Sequence, residues 1–457
     1  MAQVYPFRAF RYNPAAAHAP FDRLLTQPYD KISLAMQDKY YAADPHNLIQ
    51  VEKGRALPSD SPQDNVYTRA AAALQDWIAK SIVAQDPAAA FYGYTQEYTV
   101  PGTQERKTRR GFIGAGKLED YSAGVIFRHE HTLSGPKVDR LQMLRHTHAH
   151  TGQLFMLYSD AERRVDKILL DAEASASPVT EMQDEYGVIH RLWMFAQPEI
   201  VRTIQAAMAN QKLVIADGHH RYETALNYRN ECRTRAGHIT PDAPYERAMM
   251  TFVNTRSEGL TILPTHRVAA HLHDFHWAEV RRHLEPWFTA DEFPFSDERG
   301  KAEVRQKFLA RLVQAREHRA IGAYPAVETG KRAFYVLLLR EGADLARLLP
   351  NVSPLQRELD VVLLHEGILE PALGITPQSI AAEANLTYER EASVALDAVD
   401  QGAAQIAFLL NACDVEQVVK IATSGEVMPQ KSTDFFPKLL SGITIYRVDG
   451  AAGVAAS

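Results

Sequence analysis

Between Val214 and Leu226 the chain reads VIADGHHRYETAL, and four ionisable residues, Asp217, His219, His220 and Arg221, crowd one turn. The apolar run before them predicts a buried strand and the run after them a helix, which places Gly218 at a strand-to-helix corner. Such a corner attracts anions before side chains are considered. The first helical turn leaves backbone N–H groups unpaired and carries the positive end of the macrodipole. Arg221 adds a planar fork matched to phosphate, and the imidazoles add donors whose charge responds near neutral pH. Asp217 has the opposite sign, suited to capping the helix, holding Mg²⁺ beside a phosphate or accepting a proton from an attacking hydroxyl. This combination fits phosphoryl transfer, in which catalysis is mostly positioning and charge neutralisation. The plain alternative is an Asp-Gly turn with a structural cap and packed histidines.

Other segments offer partners for that corner. FRHEHTLSGPKVDR (127–140) contributes Glu130 as a candidate general base, His129 as a candidate phosphate-orienting group and Arg140 as a further phosphate contact. If the segment is extended, His129 and His131 share one face and Glu130 takes the other. In PTHR (264–267), His266 and Arg267 are candidates for the same cleft, and in PYD (28–30) a turn positions Asp30. GEVMPQKST (425–433) imitates a P-loop, but Gln430 replaces the second glycine, Pro429 interrupts the loop and a helical pattern precedes it. The Walker reading therefore fails, and Lys431 stays as a phosphate contact, with Lys438 as second choice. RHTHAH (145–150) would set His146 and His150 four apart on a helix, yet no further ligand of matched spacing follows, so an exposed helix end is preferred. His365 and Glu366, in LLHEG (363–367), are read as structural helix residues.

These groups need elements to hold them. Helical patterns run over 64–80, 139–150, from the corner to a stop at Gly237, and over 276–287, 300–316 and 354–371. Strands are expected at 90–100, 110–121, 213–216, 247–254, 258–268, 332–340 and 404–410, with PGTQERK as a turn after the first. At 457 residues, more than one core is expected, and the texture changes beyond about 270, with a boundary near 255–275. The expectation is an α/β (mixed α+β) protein with domains 1–255 and 256–457, the last segment contributing to the site, and a frayed AAGVAAS tail (451–457). Apolar residues make up 46% and the formal charge is −6, a balance that disfavours nucleic acid. The basic runs ERKTRRG and RNECRTR are read as a solvated loop and a helix face. No long apolar span, no secretory leader and only two cysteines predict a cytoplasmic protein without a membrane partner.

Several of these motifs resemble, in combination, the domain-of-unknown-function 1015 family: PYD, RRGFIGAGKLEDY (109–121), FRHEHT (127–132), the corner itself, ILPTHR (262–267) and MPQKSTDFFPKLLSG (428–442). The corner is also similar to the phosphate-binding turn of the ParB/sulfiredoxin-like superfamily, and within it to the Asp-Gly-His-His-Arg of free serine kinases. The resemblance implies a ParB/sulfiredoxin-like N-terminal domain beside a second mixed α/β domain. It further implies that Gly218, His219, His220 and Arg221 contact a phosphate or nucleotide, with Asp217 beside the transferred group. The expected function is phosphotransfer from ATP, ADP or pyrophosphate, with Mg²⁺ at Asp217, to a small hydroxy compound such as serine. The alternatives are a ParB-like nucleotide-binding regulatory or DNA-binding protein, and a metal-dependent hydrolase.

Overall fold

The computed structural model describes residues 1–130, 135–327, 330, 332–382 and 384–449; His131 and the 451–457 tail lie outside them. The chain is mixed α/β and divides into two compact units. Unit 1 is Met1–Arg128, Thr132–Thr261 and Phe435–Ser457, and unit 2 is His129–His131 and Ile262–Asp434. The sequence suggests one crossing at 255/256; in the structure the chain crosses at 261/262 and returns at 434/435, and His129 and Glu130 already belong to unit 2. No helix among the described residues is long and apolar enough to cross a membrane.

Unit 1 is built on a mixed sheet of β1 (Val4–Tyr5), β2 (Phe91–Thr99), β3 (Arg106–Lys117), β4 (Ile126–Phe127), β5 (Leu154–Tyr158), β6 (Thr180–Gln183), β7 (Ile189–Phe195), β8 (Leu213–Asp217) and β9 (Arg247–Asn254). Their order is β4-β8-β5-β9-β3-β2-β7-β6, with β1 paired to β3. The β4–β8 and β5–β9 pairs are parallel and the others antiparallel. β2 and β3 form the expected hairpin, but β3 starts earlier than the expected strand at 110. The basic run is therefore not a solvated loop. Arg109 is 1% exposed; its guanidinium donates to Gln96 Oε1 and to Phe436 O, and lies over the Phe155 ring at 4.6 Å. A buried guanidinium is tolerated only with its donors satisfied, and burial pulls its pKa down to about 10. The glycines of β3 serve close packing: a Cβ on Gly111 would stand 2.6 Å from Phe252 O of β9.

The helices that matter for the site are α1 (Ile49–Glu52), α2 (Val66–Ala79), α3 (Gly135–Thr147) and α4 (His219–Ala236). α4 buries Tyr222, Ala225 and Leu226 against Ile126, Met156, Ile215 and Phe252 in one core cluster. It ends as expected at Gly237, whose φ of +73° suits a residue lacking Cβ and whose N–H donates to Arg233 O and Thr234 O. α3 stops short of 150 because His148 turns left-handed at φ +50°, and Ala149–His150 pairs instead with Tyr446–Arg447.

Unit 2 carries an antiparallel six-stranded sheet of β10 (His266–Ala269), β11 (Phe288–Phe295), β12 (Ile321–Pro325), β13 (Arg332–Leu339), β14 (Leu386–Glu389) and β15 (Ile406–Leu410), ordered β11-β13-β12-β15-β10-β14. Phe308, Leu312, Phe334, Val336, Leu396 and Leu409 fill its core. The expected strand 258–268 is split at Pro264, which has no N–H for a ladder. The expected helix at 354–371 is likewise broken, into a 3₁₀ turn at Gln356–Glu358, an α turn at Asp360–Leu364, a π turn at His365–Leu369 and an α turn at Glu370–Leu373.

Candidate active site

The corner forms as β8 ends. Pairing with β5 runs Val214 to Leu157 and Ile215 to Met156, then slips so that Asp217 faces Phe155. That irregularity carries Asp217 off the regular ladder, and Gly218 reverses the chain at φ +96°. A Cβ on Gly218 would stand 3.1 Å from Leu154 Cδ2 and 3.3 Å from Arg221 Cζ, so the arginine lies folded back over the glycine. Arg221 Nη1 donates to Gln153 O, and Arg221 Nη2 reaches Asp217 Oδ2 at 3.4 Å. Lys438 Nζ approaches the same oxygen, standing 3.7 Å from Asp217 Oδ2.

Charge dominates this turn. Burial acts to raise the Asp217 pKa, yet Lys438, Arg221, Lys31 and His219 together hold the carboxyl well below the usual carboxylate range. It is a fixed anion and a weak base. For Arg221, burial favours the neutral form, and Asp217, Asp30, Tyr29 and Glu52 more than offset it. His219 is buried at 8% exposure, and His220 follows it on the first turn of α4.

Arg221 also lines a cavity of about 50 Å³, together with Arg140, Tyr29, Glu52, Thr151 and Gly152. That space takes a few waters or one phosphate-sized group. Arg140 lies 4.2 Å over the Tyr29 ring and donates Nη1–H to Glu52 O at 2.9 Å. Glu52, 3% exposed, accepts from Tyr29 N at 3.2 Å, Ser441 Oγ at 2.9 Å and Thr151 Oγ1 at 2.6 Å. A carboxylate offers about four acceptor positions, so three fixed donors leave one for a ligand. Gly152 keeps this space open: a Cβ there would lie 3.2 Å from both Arg221 Nη1 and Ser441 Oγ, and 3.5 Å from Glu52 Oε1. His150, on the same wall, is held neutral at neutral pH because burial, aided by Arg221, lowers its pKa to about 4.

The remaining candidates belong to unit 2, and His129, Glu130 and Arg267 contact its 428–433 segment. His129 Nε2 and Thr433 Oγ1 are 2.8 Å apart, and His129 O accepts from Met428 N. Glu130 Oε1 accepts from Ser432 N, Thr433 N and Thr433 Oγ1, each at 3.1 Å. Arg267, 1% exposed, donates to Lys431 O at 3.1 Å and to His365 Nε2 at 3.2 Å. His266 Nδ1 accepts from Leu410 N at 3.3 Å, and burial, then Arg267, lowers its pKa to about 4. Lys431 is exposed, with a left-handed backbone at φ +56°. The three histidines of RHTHAH part company: His146 bonds Gln142 O, His148 bonds the Tyr228 hydroxyl and His150 faces the Arg221 cavity.

Of the candidates named from sequence, unit 1 therefore brings together Asp217, Gly218, His219, His220, Arg221 and Arg140, with Lys438 as the nearby lysine and the PYD turn alongside. Sequence reasoning misses Glu52, Lys31, Thr151 and Gly152. One signal for Glu52 is present: it follows Leu48, Ile49 and Val51, all fully buried, so an acid stands in an apolar turn. The expected Mg²⁺ at Asp217 does not fit the residues present, because Arg221 and Lys438 already balance that carboxylate. Among the described residues no group of three or more His, Cys, Asp or Glu is placed to hold a metal ion.

The family model described as "Protein of unknown function (DUF1015)" matches residues 4–362, and the chain belongs to that family. No curated protein matches it. Among solved structures it is similar to a conserved hypothetical protein from Pyrococcus furiosus, at 13% identity and TM-score 0.31, over 68% of this chain and 87% of that one. It is also similar to a free serine kinase in complex with AMP, at 12% identity and TM-score 0.33, over 68% and 83%. A third likeness is to SbnI with C-terminal truncation from Staphylococcus aureus, at 10% identity and TM-score 0.32, over 72% and 85%. With TM-scores this low, none of these likenesses says what this chain binds.

Proposed function

We propose that the corner of unit 1 binds the phosphoryl group of ATP, ADP or pyrophosphate and transfers it to a small hydroxy compound, serine being the leading candidate. One observation carries the reading: Arg140 and Arg221, far apart in sequence, line one phosphate-sized cavity beside the N-terminus of α4. Two guanidinium groups and a helix N-terminus supply the positive field that a transferring phosphoryl group requires. The motif resemblance to the serine kinases and to ParB/sulfiredoxin-like proteins adds to it.

In this reading Arg221 and Arg140 hold the phosphoryl oxygens, while Lys438 and Lys31 balance Asp217, which keeps Arg221 in place. Asp217 is engaged with Arg221 and Lys438 and is not used as the base. Glu52 takes that role because it lines the cavity and keeps an acceptor position: it receives the proton of the substrate hydroxyl as that oxygen attacks phosphorus and the donor's bridging oxygen departs. Glu130, in unit 2, is not needed as the base, and no step runs through a metal ion. The test is ³¹P NMR of the purified protein with each donor and serine. Phosphoserine should form with the wild type, and Glu52→Gln should bind phosphate yet transfer none. Absence of any phosphorylated product across a panel of small hydroxy acids, with phosphate binding intact, would reduce the site to anion recognition and refute transfer.

A further inference from the structure

Unit 2 contains a cavity of about 480 Å³ that the proposed chemistry does not use. Most of its wall is apolar, including Val362, Ile375, Ile380, Val427 and Met428, and its volume lies in the range of small-molecule pockets. Two carboxylates, Glu366 and Glu370, stand on the same wall, one helical step apart where the π turn passes into the last α turn. Neither side chain has an ion-pair or hydrogen-bond partner among the described residues. Burial first, then Glu370, raises the Glu366 pKa. Like charges at this spacing repel, so the bare wall is unfavourable and a cation would relieve it.

A third polar group faces the same space. His365 is 6% exposed and lines the cavity. Its Nε2 accepts from Arg267 Nε at 3.2 Å, which requires a lone pair there and leaves the ring proton of the neutral imidazole on Nδ1. That N–H has no acceptor among the described residues. It is open to the cavity, where water or an oxygen on a ligand can accept from it. The sequence reads His365 and Glu366 as structural helix residues; the cavity gives both a polar task.

We infer that this cavity binds a small apolar ammonium compound bearing a carbonyl or hydroxyl oxygen. The ammonium group pairs with Glu366 and Glu370, the oxygen accepts from His365 Nδ1, and the apolar body lies against Ile375, Ile380 and Met428. The site is independent of the Arg221 corner, and its ligand needs no phosphate.

Calorimetric titration of the full chain with leucine amide tests this. The probe carries the ammonium, the carbonyl oxygen and an isobutyl body. Saturable one-to-one binding is expected, at least about tenfold tighter than that of 4-methylpentanamide, which lacks only the amine. Glu366→Gln should weaken leucine amide at least about tenfold while its melting temperature stays equal or rises, since a repulsion is removed. Arg221→Ala should leave leucine amide binding unchanged. No saturable binding up to about 10 mM, or equal binding by Glu366→Gln, would overturn the assignment.

Discussion

Two glycines bracket α4, and replacing each by alanine separates backbone strain from crowding. Gly218 and Gly237 both have left-handed backbones, at φ +96° and +73°. An L-residue there costs about 1–2 kcal/mol, reduced by about 0.5 kcal/mol because alanine restricts the unfolded chain. Gly237→Ala should therefore lower local stability by about 1 kcal/mol, since a Cβ there meets nothing within 4 Å. Gly218→Ala carries the same strain and also presses on Leu154 and Arg221 at 3.1–3.3 Å. Moving the arginine off its rotamer adds about 0.5–1.5 kcal/mol, giving about 2 kcal/mol in all. Hydrogen exchange of the α4 amides reads both values without assuming that the two units unfold together. The functional consequence differs more sharply. If Gly218 is what lets Arg221 fold toward the cavity, Gly218→Ala loses a charge-assisted contact of about 1.5–3 kcal/mol, or about 10- to 150-fold in phosphate affinity. Gly237→Ala loses none. Equal destabilisation of the two variants, with phosphate affinity unchanged in both, would refute the argument that Gly218 positions Arg221.

Three further outcomes are expected. Gly152→Ala, whose Cβ would crowd Arg221 Nη1, Ser441 Oγ and Glu52 Oε1, should weaken phosphate binding by calorimetry with little change in melting temperature. His150 has a folded pKa of about 4 against about 6.5 unfolded. The unfolded chain then binds the extra proton between those values, stability falls as pH drops through that window, and His150→Gln should remove about 2 kcal/mol of the loss between pH 7 and pH 5 in urea titrations. Asp217 has a depressed folded pKa, so its contribution is present above the unfolded value of about 3.9 and fades as pH falls below it. Asp217→Asn should flatten that acid limb and, at neutral pH, destabilise the corner by leaving its cations unbalanced.

The sequence makes the corner legible because its signals are local. A short apolar run, a glycine and a capped helix need no distant partner to be recognised, and both the strand Leu213–Asp217 and the stop at Gly237 are found there. What surrounds the corner comes from far along the chain. Lys438 reaches Asp217 only because the last segment returns to unit 1, and Glu52 reaches the cavity from a four-residue helix without a motif. The errors share a cause. ERKTRRG reads as solvated because charge suggests water, yet Arg109 finds buried acceptors on Gln96 and Phe436. The helix at 354–371 is broken by a separate 3₁₀ turn at Gln356–Glu358 and a π turn at His365–Leu369, which periodicity alone does not foresee.

The central claim is that Arg140 and Arg221 form one phosphate site, and calorimetric titration with inorganic phosphate and pyrophosphate tests it most directly. Saturable binding to the wild type is expected, weakened at least about tenfold by Arg221→Ala and measurably by Arg140→Ala, with the two effects coupled in the double variant. Undiminished binding by the folded double variant, or none by the wild type, would contradict it.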